Sequence, residues 1–314
     1  MGRIVLVTGG GSGLGRAVAA RFRDGGDTLV ITGRNAGQLA STAAEIGAQP
    51  FACDATDPEQ VARMAGELGP GLDVLVNMAG GNTDFTRPTG HAPDLGHDPD
   101  LGQVAAAWRA NLDANLLSAV LTTTAVLGRL RAGGSIVNVG SIGAEYASTS
   151  YGAAKAALAA WTAGLSAEVG PRGLTANVIS PGYIAGTGFF HGKLTGQRRA
   201  ALIAATHDGR AGQPGDIAEA AWFLASAGAR HITGQTLHVN GGAHTTRLGG
   251  SGESACPQRP YGLPRFTLGL PHLARSFAGL PPACRRPATG RRPAHSPADR
   301  MVSFLIPGPA IRQT

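Results

Sequence analysis

The first fifteen residues constrain this chain more than any other stretch. Ile4-Val-Leu-Val7 is a continuous apolar run, and Thr8-Gly-Gly-Gly-Ser-Gly-Leu-Gly15 follows it directly. A short apolar run without polar alternation predicts a strand buried on both faces, as in a parallel sheet. Glycines at 9, 13 and 15 allow a tight turn and let backbone approach a ligand with no Cβ in the way. Beyond them Leu14, Ala17, Val18 and Phe22 share one face at helical spacing, which predicts a helix over Gly13–Arg23. Strand, glycine turn and helix together make an anion cradle, because the first amides of the helix and its positive dipole end face the turn.

The pattern then repeats. Further strands are predicted at Thr28–Thr32, Pro50–Ala52, Val74–Asn77, Ser135–Val139, Thr175–Ile179 and Thr236–Val239, with helical stretches between them. One such helix starts at Pro58, after Asp57 as its cap. Strands separated by helices imply right-handed crossovers and an α/β fold: a doubly wound parallel sheet of about seven strands with helices on both faces. In that setting the glycine turn predicts dinucleotide binding by Gly9, Ser12, Gly13, Leu14 and Gly15. The second strand ends at Gly33-Arg34, with no acid to bond a ribose diol. A guanidinium binds a 2′-phosphate that a carboxylate would repel, so NADP(H) is expected over NAD(H), with Arg34 as the contact. Asp54, followed by Ala55 after the third strand, is a candidate for the adenine amino group or else a local cap.

Charge enters at this point because it misleads. The chain carries 27 Lys and Arg against 20 Asp and Glu, a net +7 with a pI near 10.0. Residues 248–314 hold nine Arg and only two acids, Glu253 and Asp299, which accounts for the whole excess. Eleven of the 20 prolines also fall there. The tail is expected to be disordered, and 1–247 forms one electrically neutral domain. No nucleic-acid partner is expected, since no reading motif accompanies the tail arginines. No apolar run approaches the length of a membrane span, and the three cysteines have no metal-like spacing. A cytoplasmic protein without a membrane or metal partner is the expectation. Gly81–Gly102, with His91, His97, Asp84, Asp94, Asp98 and Asp100, reads as a solvated loop rather than a metal site.

Tyr151-Gly-Ala-Ala-Lys155 sets a phenol and an ammonium one helical turn apart on one face. A nearby cation favours the phenolate and prepares the Tyr for proton transfer. Ser141, ten residues upstream at a strand end, is placed to hold a substrate oxygen beside it.

These motifs together resemble the short-chain dehydrogenase/reductase family, over about 1–245. Thr8–Gly15 is similar to its cofactor loop in the compact branch, and Asn77-Met-Ala-Gly80 resembles its N-N-A-G brace. The resemblance implies a Rossmann-type fold, with Asn77, Ala79 and Gly80 near the cofactor. Trp108-Arg-Ala-Asn-Leu-Asp-Ala-Asn-Leu116 resembles the helix carrying the fourth catalytic residue, and Asn115 fits better than Asn111. Ser180-Pro-Gly-Tyr-Ile-Ala-Gly-Thr187 is similar to the loop that shapes the nicotinamide pocket, implying contacts from Pro181, Gly182, Ile184 and Thr187. The implied chemistry is hydride transfer between nicotinamide and a carbonyl or secondary alcohol. Tyr151 is implied as general acid/base and Lys155 as the cation that also bonds the ribose. Ser141 orients the substrate oxygen, and Asn115 holds a relay water. The nearest grouping is the 3-oxoacyl-carrier-protein reductase type, which implies a small-molecule or acyl-thioester substrate and a homotetramer or dimer packed through helices near 101–132 and 151–170. Tyr183–Arg210, with Phe189, Phe190, His191, Lys193, Arg198 and Arg199, is expected to cover the substrate. A non-catalytic dinucleotide-binding protein on the same fold is the alternative.

Overall fold

The computed structural model describes residues 2–85 and 100–246. Seven strands form one parallel sheet: β1 (Ile4–Thr8), β2 (Thr28–Gly33), β3 (Gln49–Ala52), β4 (Leu72–Asn77), β5 (Leu130–Val139), β6 (Thr175–Pro181) and β7 (Thr236–Val239). Their order across the sheet is β3-β2-β1-β4-β5-β6-β7. The helices are α1 (Gly13–Asp24), α2 (Ala36–Ile46), α3 (Pro58–Glu67), α4 (Leu101–Leu112), α5 (Ser118–Val126), α6 (Gly143–Tyr146), α7 (Ser150–Val169), α8 (Gly196–Ala204) and α9 (Pro214–Leu224).

Whereas the outer strands β3 and β7 are mostly exposed or half-buried, the central strands are rich in apolar residues because they serve two cores. Val5, Val7, Val74 and Val76 point into one, with Val18 and Phe22 of α1, Leu39 of α2 and Ile217 and Ala221 of α9. Leu6 and Leu75 point into the other, with Val61 and Met64 of α3, Val126 of α5 and Leu165 and Val169 of α7. Alternate side chains along a strand face opposite ways, so helices on both faces favour apolar residues on both sides of a central strand. Asp57 caps α3 as its sequence predicts, accepting from the backbone N–H groups of Glu59 and Gln60.

Strand order reverses between β1 and β4. A doubly wound sheet opens a ligand crevice at the carboxyl ends of the strands flanking such a reversal. The ends of β1 and β4 are tied there: Thr8 Oγ1 accepts from the backbone N–H groups of Met78 and Ala79, each at 3.0 Å.

Three sequence expectations need correction. The segment read as a loop over Gly81–Gly102 includes a 3-10 turn, Thr83–Phe85, and α4 begins at Leu101, capped by the Asp100 side chain. Asp84 is half-buried and bonded; it accepts from the Asn111 side chain at 2.8 Å and lies 3.3 Å from Ser150 Oγ. The helical stretch expected near 101–132 contains a π-helical turn, Asp113–Leu117, and yields to β5 at Leu130. β5 itself ends at Val139, two residues before Ser141. His91, His97, Asp94 and Asp98 lie outside the described residues, as does the whole tail 248–314.

Candidate active site

The glycine turn closes against its own backbone. Gly9 has φ +65°, in the left-handed region that favours glycine. A Cβ at Gly15 would be driven into the Gly9 carbonyl, 2.7 Å from its carbon and 3.1 Å from Gly10 Cα. Helix α1 therefore starts in direct backbone contact with the end of β1. Ser12, its N-cap, makes no side-chain capping bond, and no acid stands in the first turn. Gly13, with φ +52°, has nothing within 4 Å of where its Cβ would be. Free helix amides beside open space fit a pyrophosphate. The Leu14 and Ile184 side chains pack onto the core.

At the far end of the crevice Arg34 is exposed just after β2. Among the described residues no ion pair engages it. Asp54 is tied up locally: Oδ1 accepts from Thr56 N at 3.0 Å and from Thr56 Oγ1 at 2.8 Å. Of its two sequence readings, the structure displays the local cap. Ala55 is buried beside it.

Asn77 is a brace. Its Nδ2 donates to Thr123 Oγ1 at 2.9 Å and to Asn138 Oδ1 at 2.8 Å, and Asn138 Nδ2 donates on to Thr162 Oγ1. This chain of amides and hydroxyls stitches β4 and β5 to α5 and α7. Asn115, in the π-helical turn, locks the next segment: Oδ1 accepts from Gly81 N at 3.0 Å, and Nδ2 donates to the Gly81 carbonyl at 2.9 Å. Its side chain is thereby engaged, while the π-helical register disturbs the usual carbonyl pairing of the turn. Asn111, the weaker sequence candidate, has a distinct task. It donates to Asp84 and to Ser150 Oγ and accepts from Thr83 N. Sequence reasoning missed this Asp84–Asn111–Ser150 cluster, since no motif links those positions.

Helix α7 presents the Tyr and the Lys. Thr149 caps it, accepting from Gly152 N, and the buried Ser150 anchors the residue before Tyr151. The Lys155 Nζ lies 5.9 Å from the Tyr151 ring centroid. It donates to the Val139 carbonyl at 2.7 Å. Burial of this ammonium pulls its pKa down from the ordinary lysine range to about 8. Ser141 joins them from two residues beyond β5. A Cβ on Gly143 would stand 3.3 Å from Ser141 Oγ and 3.6 Å from Tyr151 Cε1, so hydroxyl and phenol ring border one space. Pro181 and Gly182 close its side: Ile142 N donates to the Pro181 carbonyl, and Gly182 N to the Val239 carbonyl at the end of β7. Thr187 Oγ1 donates to the Ile184 carbonyl at 3.2 Å.

An aromatic wall faces the phenol. Phe189 lies 5.6 Å from the Tyr151 ring, and Phe85, Phe190 and Tyr183 pack on from it at 5.1–6.0 Å. Phe85 was not expected among these residues; it comes from the segment read as a solvated loop.

The buried lysine makes a pH-dependent prediction. Cofactor-free wild type should be compared with Lys155→Met by denaturant midpoints. Below pH 8 the lysine is charged in both folded and unfolded chains, and wild type bears the full burial cost. Between pH 8 and 10.5 the folded chain releases the proton first, so the cost fades as pH rises. Wild type should gain about 3 kcal/mol on the variant across that window, at about 1.4 kcal/mol per pKa unit. A pH-independent difference would contradict the burial argument.

Comparison with known proteins places the chain in a family. The family described as enoyl-(acyl carrier protein) reductase matches residues 9–244. A Mycobacterium tuberculosis protein named as an oxidoreductase is 38% identical over 239 residues, covering 76% of this chain and 97% of its own. The 3-oxoacyl-(acyl-carrier-protein) reductase of Vibrio harveyi is 33% identical over 253 residues, 77% of this chain and 98% of its own. The structure of a blue fluorescent protein from a metagenomic library, in complex with NADPH, superposes with a TM-score of 0.65 at 29% identity, over 78% of this chain and 98% of that one. No helix among the described residues is long and apolar enough to cross a membrane. A seven-stranded doubly wound sheet, a glycine cradle at its switch point and a match over three quarters of the chain lead to one conclusion: the chain belongs to the short-chain dehydrogenase/reductase family of NAD(P)-dependent oxidoreductases.

Proposed function

We propose that this chain is an NADP(H)-preferring reductase of ketones or 3-oxoacyl thioesters, with Tyr151, Lys155, Ser141 and Asn115 as its working residues. The single observation that carries the reading is the convergence of Ser141 Oγ and the Tyr151 ring on one space beside a buried lysine.

The crevice fits a dinucleotide. Gly9, Ser12, Gly13 and the backbones of Leu14 and Gly15 would hold the pyrophosphate. Asn77, Ala79 and Gly80 would line the crevice through their backbones. Arg34 would take the 2′-phosphate, and Ala55 with the turn at Asp54 would border the adenine. Pro181, Gly182, Ile184 and Thr187 would flank the nicotinamide. When bound, that group supplies or accepts a hydride. Tyr151 gives its phenolic proton to the carbonyl oxygen during reduction and recovers it through the relay. Lys155 stabilises the phenolate left behind. Ser141 donates to the same oxygen and shares its developing charge. Asn115 fixes the backbone beside which a relay water would sit, its own side chain being committed to Gly81. The aromatic wall supports a substrate with an apolar group next to its carbonyl.

Several finer statements belong to the same reading. Residues 1–247 form the working unit, and the basic tail takes no part in catalysis. The enzyme is cytoplasmic and assembles as a dimer or tetramer. Exposure of Leu237 on the edge strand β7 and of Phe223 on α9 supports self-association.

The cofactor preference is open to a direct test. Arg34→Asp should raise the KM for NADPH by about tenfold or more, the value of one or two charge-assisted hydrogen bonds. The KM for NADH should be unchanged or lower. Steady-state rates with both cofactors decide it, and an unchanged NADPH KM would remove Arg34 from the site.

A further inference from the structure

A second group of side chains converges away from the crevice. Glu145 stands on α6, four residues beyond Ser141. His238 is on β7, paired in register with Ser180 of β6. His244 follows the turn at Asn240–Ala243. One donor atom from each of the three lies within 4.8 Å of the others. Glu145 Oε1 is 3.8 Å from His238 Nε2, and Glu145 Oε2 is 3.6 Å from His244 Nε2. The two imidazole rings face each other at 4.9 Å.

The arrangement is built rather than incidental. Asn240 Oδ1 accepts from Gly242 N at 3.0 Å, and its Nδ2 reaches the His244 carbonyl at 3.4 Å. Gly241 and Gly242 take left-handed φ values of +64° and +84°. The turn so formed folds His244 back over His238. The two histidines are half-buried and Glu145 is exposed, with side-chain exposures of 17%, 24% and 30%.

Each histidine lies within ion-pair reach of Glu145, which attracts an imidazole only when that ring is protonated. Neither Glu–His distance is a hydrogen bond. Among the described residues no hydrogen bond holds a ring nitrogen of either histidine, and His238 Nδ1 is buried without a partner. Two imidazoles brought together as cations would repel each other. Two neutral imidazoles with a carboxylate form instead the donor set of a zinc-type ion, leaving a fourth position open. Ligands about 2.1 Å from a tetrahedral ion stand about 3.4 Å apart, so the Glu–His distances are near that spacing, while the donor set as a whole, within 4.8 Å, must draw together by up to about 1.4 Å.

We propose that Glu145, His238 and His244 bind a divalent ion of the zinc class and thereby clip the Ser141–Tyr151 connection to the C-terminal strand. Helix α6 lies in that connection, and Gly143 N donates to Ser141 Oγ at 3.0 Å. An ion at Glu145 therefore restrains the segment on which the serine and tyrosine converge. The site needs no bound cofactor and no turnover, so its test is separate from that of the reductase reading.

The probe is cobalt(II), whose d–d absorption reports a low-coordinate protein site. Full-length, chelator-treated protein should show the band with one equivalent of cobalt and lose it to one equivalent of zinc. Glu145→Gln and His244→Gln should each weaken cobalt affinity by about tenfold or more, since loss of a ligand exceeds the loss of an outer partner. His231→Gln, an exposed histidine elsewhere, should change nothing. Thermal unfolding in chelator shows whether each variant folds. Hydrogen exchange across 142–149 and 240–244 should slow with zinc in wild type only. A cobalt band that survives Glu145→Gln and His244→Gln, or one abolished by His231→Gln, overturns the proposal. So does the absence of any band in wild type.

Discussion

Tyr151→Phe is expected to lose nearly all turnover while still binding NADPH. The phenylalanine keeps the ring that packs 5.6 Å from Phe189 and beside Lys155, so the fold around it should persist. Only the hydroxyl is lost, and with it the proton that the reduced carbonyl oxygen must receive. General acid catalysis by a positioned group contributes about 10²–10⁴-fold, which sets the expected loss in kcat. Cofactor affinity should hold, because the glycine turn and Arg34 lie at the other end of the crevice. NADPH oxidation against a panel of ketones and 3-oxoacyl thioesters measures the first quantity, and fluorescence titration with NADPH the second. Near-normal turnover in this variant would sink the catalytic assignment. Loss of turnover together with loss of binding would point to a damaged fold instead. Wild-type inactivity on every carbonyl, with NADPH bound, would favour the non-catalytic alternative.

The second large effect is expected from the glycine turn. In Gly15→Ala the new methyl group meets the backbone of Gly9 and Gly10, which has no rotamer to yield. Helix α1 must move off the end of β1, and over-packing of this kind costs about 1–3 kcal/mol. The same shift misaligns the first helix amides, so NADPH affinity should fall by about tenfold or more. Gly13→Ala is the informative contrast. Its methyl group would meet nothing within 4 Å, and its left-handed φ of +52° costs only about 1 kcal/mol. That variant should fold nearly as well as wild type and yet bind NADPH poorly, because the added methyl occupies the open space beside the turn. Denaturant midpoints and NADPH titrations of the two variants separate a steric effect on folding from one on the ligand. Equal NADPH affinity in Gly13→Ala and wild type would place the pyrophosphate elsewhere.

Much of this molecule is legible along the chain because local chemistry dictates it. Seven short runs become seven strands, the central ones because a sheet covered on both faces favours apolar residues on either side of a strand. Asp57 and Pro58 start a helix wherever they stand, because the cap and the fixed φ of proline act within one turn. The Tyr151–Lys155 spacing is likewise a property of one helix. Boundaries were less legible. β5 begins at Leu130, five residues before the apolar run at Ser135, because Leu72 of β4 pairs with Leu130 across the irregular Arg131–Gly134 stretch.

The sequence by itself determined the sheet, the glycine turn and the Tyr–Lys pair, for each rests on periodicity, backbone freedom or helical spacing over fewer than about twenty residues. The tertiary structure alone decided how the remaining polar residues are used. It committed the Asn115 side chain to Gly81 and gave Asn111 to Asp84 and Ser150. It turned Asp54 toward its own loop and carried Phe85 into the wall facing Tyr151. It also brought Glu145 against His238 and His244 across more than ninety residues of chain. Those outcomes depend on which strand ends lie side by side, and the crossover order that sets this is a property of the packed sheet rather than of any segment in it.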